Sequence, residues 1–360
     1  MKLLVGLSRI GREGGISVTE RRFLDECRKQ SDVIIRTFEF GSRVSDESVI
    51  TRIVGRLWDV AVYAWLLIDE RPDIVHINSS FDKRALLRDV WYALVSKLFR
   101  RRLFIKLHGS DAGLLLKKSI FWRLLAGTTI SNASAIGVLS NEEMTNFTDA
   151  GFEHRKFFTV KNAVDVERFS SPRPASSIPQ LLFIGRFIRT KGLIETIEAT
   201  NLLLKSGEKA QLLCVGDGPQ KQDAEALVRE VGLASAVRFT GHVSEAEATR
   251  FYLESSVLVF PTFHDEGFSM ALFQALAAGL PIITTRIRAA ADYLKEPDNC
   301  FWVEPRNPEM LAEKTTLLLH DPNLGKQMSA NNRELAKRFA PDVVAQEYLT
   351  IFNNLLATGV

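Results

Sequence analysis

Residues 264–285, HDEGFSMALFQALAAGLPIITT, set an acidic loop, an apolar helix and a short strand in succession, with Gly279-Leu280-Pro281 ending the helix before Ile282 begins the strand. Proline cannot continue a helix, and glycine accepts the left-handed conformation that closes one. The first-turn amides of such a helix lack intrahelical acceptors and sit at the positive end of its dipole, which suits them to a phosphate or to sugar hydroxyls presented from the loop. Glu266 stands beside those amides. Its carboxylate either belongs to a ligand site or caps the helix by accepting their hydrogen bonds.

The same alternation runs outward through the whole chain. In the first half, short apolar runs at Lys2–Leu7, Val33–Phe38, Ile74–Ile77, Leu103–Leu107 and Ala135–Leu139 are separated by helix-length segments. Strands buried on both faces and spaced in this way imply a parallel sheet with crossover helices. The stretch SSPRPASSIP at 170–179 reads as an extended linker, after which the pattern restarts at Leu181–Ile184, Leu212–Val215, Val237–Thr240, Val257–Phe260 and Ile282–Thr284. The expected fold is α/β: two Rossmann-like parallel-sheet domains facing across a cleft, one over 1–165 and one over 178–341, joined by a hinge. The last helix, near 341–356, carries Val344, Tyr348, Ile351 and Leu355 on one face, and 342–360 is expected to cross back to the first domain. Ligands of open α/β sheets lie beyond the carboxyl ends of the strands, so function is expected in the cleft.

Composition narrows the class. With 360 residues, 46% hydrophobic and 25% charged, the chain has enough apolar surface for two ordinary cores, which excludes disorder. Cys27, Cys214 and Cys300 are odd in number and widely spaced, the usage of a reducing cytosol rather than a disulfide frame or zinc site. The opening MKLLVGLSR is too short in its apolar part for a signal peptide and reads as a first buried strand. The uncharged run Gly267–Thr285 contains Ser269, Gln274 and the helix stop, so it reads as buried helix plus strand and not as a membrane span. Net charge is only +3, yet residues 82–123 hold eleven Lys/Arg against three Asp/Glu.

Several residues are placed to carry chemistry. LLFIGRFIRTKG sets Gly185 at a strand end, Arg186 after it, and Lys191-Gly192 before the next helix. Arginine grips a diphosphate bidentately and lysine adds a point charge, an arrangement that stabilises a departing nucleoside diphosphate; the alternative is an ordinary solvated loop pair. VGDGP at 215–219, with Gly216, is a second strand-end glycine turn. After the first strand, Gly14-Gly15 in GREGGIS allows backbone to approach a ligand, but the spacing is not GxGxxG and no acid ends the second strand, which argues against a dinucleotide dehydrogenase. His108 in IKLHGSD stands at a strand end, either structural or facing the cleft. Neither a Ser-His-Asp order, an HExxH helix nor a Walker loop is present.

Taken in order, Gly185-Arg186 with Lys191-Gly192, VGDGP, VRFTGHV at 237–243 and VLVFPTFHDEGFSMALFQALAAGLPIITT at 257–285 resemble the successive motifs of the family 4 glycosyltransferases of GT-B fold. The resemblance covers roughly 158–305, with VKNAVDVERF at 160–169 and His108-Gly109 as further points; elsewhere in the first half it is one of fold only. It implies a metal-independent, retaining transfer of a hexose-type sugar from a nucleotide sugar, UDP- or GDP-linked, with no cofactor. Arg186 and Lys191 would hold the donor diphosphate, Glu266 with the amides of Gly267, Phe268 and Ser269 the donor sugar, and His108 would approach the transferred sugar. Where the family's E-x7-E motif has its second acid, this chain has Gln274, which can still hydrogen-bond ribose hydroxyls but without charge. A front-face transfer needs no protein nucleophile, since a donor phosphate oxygen takes the acceptor proton.

Between Phe81 and Leu125 the basic surplus is interleaved with Trp91, Tyr92, Phe99, Phe104, Phe121 and Trp122. Such a face either sits on an anionic membrane, binds an acidic acceptor, or consists of core aromatics under solvated charge. Nucleic acid is not expected as a partner, for no recognition motif accompanies the charge. The expected protein is cytoplasmic, at the inner face of the plasma membrane, and acts on a polysaccharide, lipopolysaccharide or lipid-linked glycan acceptor. The alternatives are a GT-B nucleotide-sugar epimerase and a nucleotide-sugar-binding partner subunit without turnover, the latter supported by Gln274 alone.

Overall fold

Lys2–Leu7 (β1) is apolar at nearly every position, and Leu3, Leu4 and Val5 are all buried, as a strand covered on both faces requires. The computed structural model describes residues 1–7, 15–40, 49–110, 119–171 and 178–357, with side chains left out at 15–18 and 49–53. These residues fall into two units, 1–163 with 265–268 and 341–360, and 164–264 with 269–340.

In the first unit β1 is followed by α1 (Gly15–Arg28), β2 (Ile34–Glu39), α2 (Val49–Asp69), β3 (Ile74–Ser79), α3 (Lys83–Leu98), β4 (Arg102–Leu107), α4 (Ile120–Asn132), β5 (Ala135–Val138), α5 (Asn141–Asp149) and β6 (Phe157–Thr159). The strands form one parallel sheet in the order β2-β1-β3-β4-β5-β6. Leu3 pairs with both Ile35 and Ile74, and Ile105 with Ile136, so the apolar centres of the strands are in register. On one side of this sheet Tyr63 and Leu67 of α2, Leu86 and Ala93 of α3 and Ile130 of α4 meet the same core as Val75, Ile77 and Ile105.

The second unit repeats the scheme with β7 (Gln180–Ile184), α6 (Leu193–Lys205), β8 (Gln211–Val215), α7 (Lys221–Glu230), β9 (Val237–Gly241), α8 (Glu245–Glu254), β10 (Val257–Phe260), α9 (Met270–Ala278), β11 (Ile282–Thr284), α10 (Arg288–Tyr293), β12 (Cys300–Trp302), α11 (Pro308–His320) and α12 (Pro322–Ala336). Its parallel sheet runs β12-β11-β10-β7-β8-β9. Gly279, at φ +68, closes α9 in the left-handed conformation, and Pro281 leads into β11. The final helix, α13 (Pro341–Ala357), groups with the first unit: the Tyr348 ring packs tilted against Phe23 of α1, centroids 4.7 Å apart, and its hydroxyl donates to the Lys161 carbonyl over 3.1 Å.

The ten strands read from sequence all occur, with ends shifted by a residue or two, as at Ile34–Glu39 and Ile74–Ser79. Two more, β6 and β12, were not anticipated; each is three residues long and lies at a sheet edge. Of the expected linker 170–179, residues 172–177 lie outside the described residues, as does Gly14. The three cysteines are free and buried, and burial pushes the Cys27 thiol up to about 12.

Candidate functional site

In the second sheet the strand order reverses between β7 and β10, and the crevice past the carboxyl ends of two such strands is where open α/β sheets take ligands. The loop leaving β7 carries Gly185, Arg186 and Lys191; the loop leaving β10 runs from Pro261 into α9. They are tied together. Phe263 N donates to Thr190 O over 2.8 Å, Thr190 Oγ1 lies 2.9 Å from His264 Nδ1, and the Lys191 ammonium stands 5.2 Å over the Phe260 ring. Gly192 has φ +83, and a Cβ there would fall 2.7 Å from both Pro261 Cγ and Pro261 O, so the two loops meet this closely only at glycine.

The turn after β8 joins them. Phe187 N donates to Asp217 O over 2.9 Å and Gln220 N to Phe187 O over 3.0 Å. At Gly216, φ +136, a Cβ would stand 2.0 Å from Gly185 O, which no side chain tolerates. Gly185, Arg186, Lys191 and Gly216 are thus gathered at the strand ends of one sheet. Arg186 is exposed there, whereas Lys191 is only 6% exposed.

Helix α9 spans Met270–Ala278. Ser269 is its N-cap, without a side-chain cap bond, so the first-turn amides are those of Met270 onward, and Gly267 and Phe268 lie ahead of the helix. Phe268 is buried, and a Cβ on Gly267 would meet Glu143 Oε2 and Gly109 N at 3.1 Å within the first unit, with which Asp265–Phe268 group. Glu266 and Gln274 are half-buried, Gln274 on α9.

His108 follows β4, and its side chain is 3% exposed. Its Nε2 donates to Asn78 Oδ1 over 2.7 Å and lies 3.7 Å from Glu20 Oε1. Glu20 of α1 accepts from Lys106 Nζ over 2.6 Å, and His76 Nε2 stands 3.7 Å from its other oxygen. Burial, reinforced by the Lys106 charge, drives His108 down to about 3; burial, against the pull of Glu20, drives His76 to about 4. Both imidazoles are therefore neutral at pH 7. Burial alone would raise Glu20, but the Lys106 ammonium and, in the acid range where they take up a proton, the two histidines outweigh it and hold the carboxyl at about 2. Gly15 opens α1, the helix that carries Glu20.

Glu20, His76, Asn78 and Lys106 were not singled out from sequence. The available signal was Lys106 inside the otherwise apolar strand RLFIKL, since a charge buried on both faces demands a partner. Arg288 was missed as well: it opens α10 just past β11 with φ +46 and is 6% exposed, marked in sequence only by Arg-Ile-Arg directly after a strand. Among the described residues no group of three His, Cys, Asp or Glu is arranged to hold a metal ion.

Comparison with known proteins gives relatives over much of the chain. Over 282 residues the chain is 27% identical to an uncharacterised glycosyltransferase of Methanocaldococcus jannaschii, covering 76% of this chain and 73% of that one. Over 202 residues it is 29% identical to the lipopolysaccharide core biosynthesis glycosyltransferase LpsD of Rhizobium meliloti, covering 56% and 57%. The matches span about half the length of most of these curated relatives. In fold the chain is similar to Anabaena HepE, solved in complex with UDP-glucose, at TM-score 0.76 and 17% identity over 98% of this chain and 100% of that one. The expected α/β fold of two Rossmann-like parallel-sheet domains, the GT-B type, is present. Residues 167–335, which include Arg186, Lys191, Glu266 and Gln274, match the family model described as glycosyl transferases group 1.

Proposed function

We propose that this protein transfers a sugar from a nucleotide sugar, UDP- or GDP-linked, to a polysaccharide, lipopolysaccharide or lipid-linked glycan acceptor, with retention and without metal or cofactor. The observation that carries the reading is the convergence of Arg186 and Lys191 with the Pro261–His264 loop at the switch point between β7 and β10. The exposed Arg186 guanidinium is suited to a bidentate grip on a diphosphate, and the enclosed Lys191 ammonium adds a charge whose effect is little screened. As the acceptor hydroxyl attacks the anomeric carbon, the bond to the diphosphate breaks, a phosphate oxygen of the donor takes the acceptor proton, and the two cations stabilise the charge left on the nucleoside diphosphate.

In this reading Glu266, with the backbone of Gly267, Phe268 and Ser269, holds the donor sugar, and Gln274 the ribose. His108 acts as a neutral imidazole near the transferred sugar, and Gly14 and Gly15 give ligand access before α1. The UDP-glucose complex of HepE supports a UDP-linked donor, and the name of LpsD supports a cell-surface glycan acceptor. Cytoplasmic location and contact with an anionic membrane through 81–125 belong to the same reading.

The test is thermal stabilisation by UDP, GDP and ADP and their common sugar conjugates, with and without magnesium and with a chelator. A ligand that binds the folded state raises its melting temperature. A rise with one nucleotide class that the chelator leaves unchanged supports the proposal; no rise with any of them, or a rise that needs magnesium, contradicts it.

A further inference from the structure

We infer that the outer face of α2, α3 and α4 is a docking surface for an anionic lipid bilayer, an inference that rests on, and extends, the reading of a membrane contact in the first unit. These helices bury their inner sides in one core, through Tyr63, Leu86 and Ile130 among others, so their outer sides share one surface. That surface is apolar where solvent should favour polar groups. Of the eighteen large hydrophobic side chains exposed among the described residues, thirteen lie on these three helices. Leu57, Trp58 and Trp65 are each more than half exposed on α2, as are Trp91 and Leu98 on α3 and Phe121 on α4. Isolated exposed hydrophobics need no explanation, but a cluster of this kind marks an interaction site.

Helix α2, outside the basic segment read from sequence, carries the largest share. At about 100° per residue, its exposed apolar positions from Val54 to Ile68 span an arc of roughly 140°. That is broader than the two-position seam with which a helix grips a single partner helix, and it suits a helix lying flat in an interface. A groove of about 350 Å³ between α2 and α3, lined by Arg56, Leu57, Leu87 and Trp91, continues the apolar face inward.

Charge selects the occupant. Lys83, Arg84, Lys97, Arg100 and Arg123 are exposed on or beside α3 and α4, whereas the one acid of those two helices, Asp89, is buried against Arg88; α2 adds the exposed Arg56 and Asp69 and the half-buried Asp59, so the face as a whole stays basic. A second copy docked through the same face would set these cations against their own kind. A nucleic acid would leave the aliphatic leucines uncovered. An anionic bilayer takes the basic side chains at its headgroups and the tryptophans at the depth they prefer. No helix among the described residues is long and apolar enough to cross a membrane.

The test is co-sedimentation of the full chain with vesicles of phosphatidylcholine alone and of phosphatidylcholine mixed with phosphatidylglycerol, alongside light scattering and binding of single-stranded DNA. Wild type should pellet with the mixed vesicles and not with the neutral ones. The double change Trp58→Ala/Trp65→Ala should weaken partitioning roughly tenfold or more, and Lys97→Glu/Arg100→Glu should do the same while leaving the melting temperature unchanged. Arg186→Ala should pellet as wild type does, which separates failure of this inference from failure of the transferase reading. Equal binding to both vesicle types, no binding to either, a dimer dissolved by the tryptophan changes, or DNA binding lost with them would each overturn it.

Discussion

The Lys106 ammonium lies 2.6 Å from Glu20 Oε1, and the two side chains are 3% and 1% exposed. This buried pair joins α1 to the tip of β4, one residue before Leu107 and two before His108. Removing one partner of such a pair leaves an uncompensated charge, whereas removing both leaves an apolar contact. Lys106→Met should therefore destabilise the protein by about 3–5 kcal/mol, and Glu20→Leu/Lys106→Met should recover most of that loss. Urea denaturation followed by tryptophan fluorescence reads this unit, which holds Trp58, Trp65, Trp91 and Trp122. A single variant as stable as wild type would contradict the pairing.

The neighbouring histidines make stability depend on pH. In the unfolded chain an imidazole takes up a proton below its ordinary 6.5; in the folded protein His76 stays neutral down to about 4 and His108 to about 3. The unfolded state thus binds more protons across this window, and stability falls as pH drops from 6.5 toward 4, by on the order of 2 kcal/mol per imidazole at pH 5. Glu20 acts at lower pH: its stabilisation is complete above its ordinary 4.5 and is lost as pH falls toward about 2. His76→Phe, placed among Phe23, Phe104, Tyr348 and Phe352, should flatten the melting-temperature profile between pH 7 and 5 by about half. Parallel profiles for the two proteins would refute the attribution.

Gly192→Ala should cost about 2–4 kcal/mol and abolish donor binding together with it, because the added Cβ meets Pro261 and pushes apart the two loops on which the proposed site depends. Gly207→Ala is the control. Its φ of +92 carries similar backbone strain, but nothing stands within 4 Å, so nucleotide binding should survive. Isothermal titration on the two variants checks the contrast, and equal losses would dissociate loop spacing from binding.

Gln274→Glu should tighten nucleoside diphosphate binding by roughly tenfold, since a charged acceptor strengthens a ribose hydrogen bond by about 1–2 kcal/mol. Unchanged or weaker binding in a titration would remove Gln274 from the ribose contact.

The sheets were legible in the sequence wherever strands are covered on both faces, for such strands read as continuous apolar runs, as Leu103–Leu107 and Val257–Phe260 do. Edge strands β6 and β12 were not, because three residues such as Phe157–Thr159 give no period to recognise. Within the candidate site, the cations at strand ends were legible from their position after Ile184. The Glu20–Lys106 contact was not, because 86 residues separate its members and only the fold brings them together. The exposed apolar face of α2 was not legible either, because an apolar helix looks in sequence like core, and only solvent exposure tells the two apart.

The most direct test of the account is Arg186→Ala, assayed for nucleoside diphosphate release from the donor that stabilises the wild type. The guanidinium is exposed at the end of β7, so its loss should leave the melting temperature within about 1 °C, as surface substitutions usually do. The account predicts a fall in turnover of about a hundredfold or more, as expected when a group stabilising the leaving-group charge is removed. Turnover equal to wild type in a correctly folded variant would contradict the placement of the donor diphosphate at this strand end, and with it the proposed site.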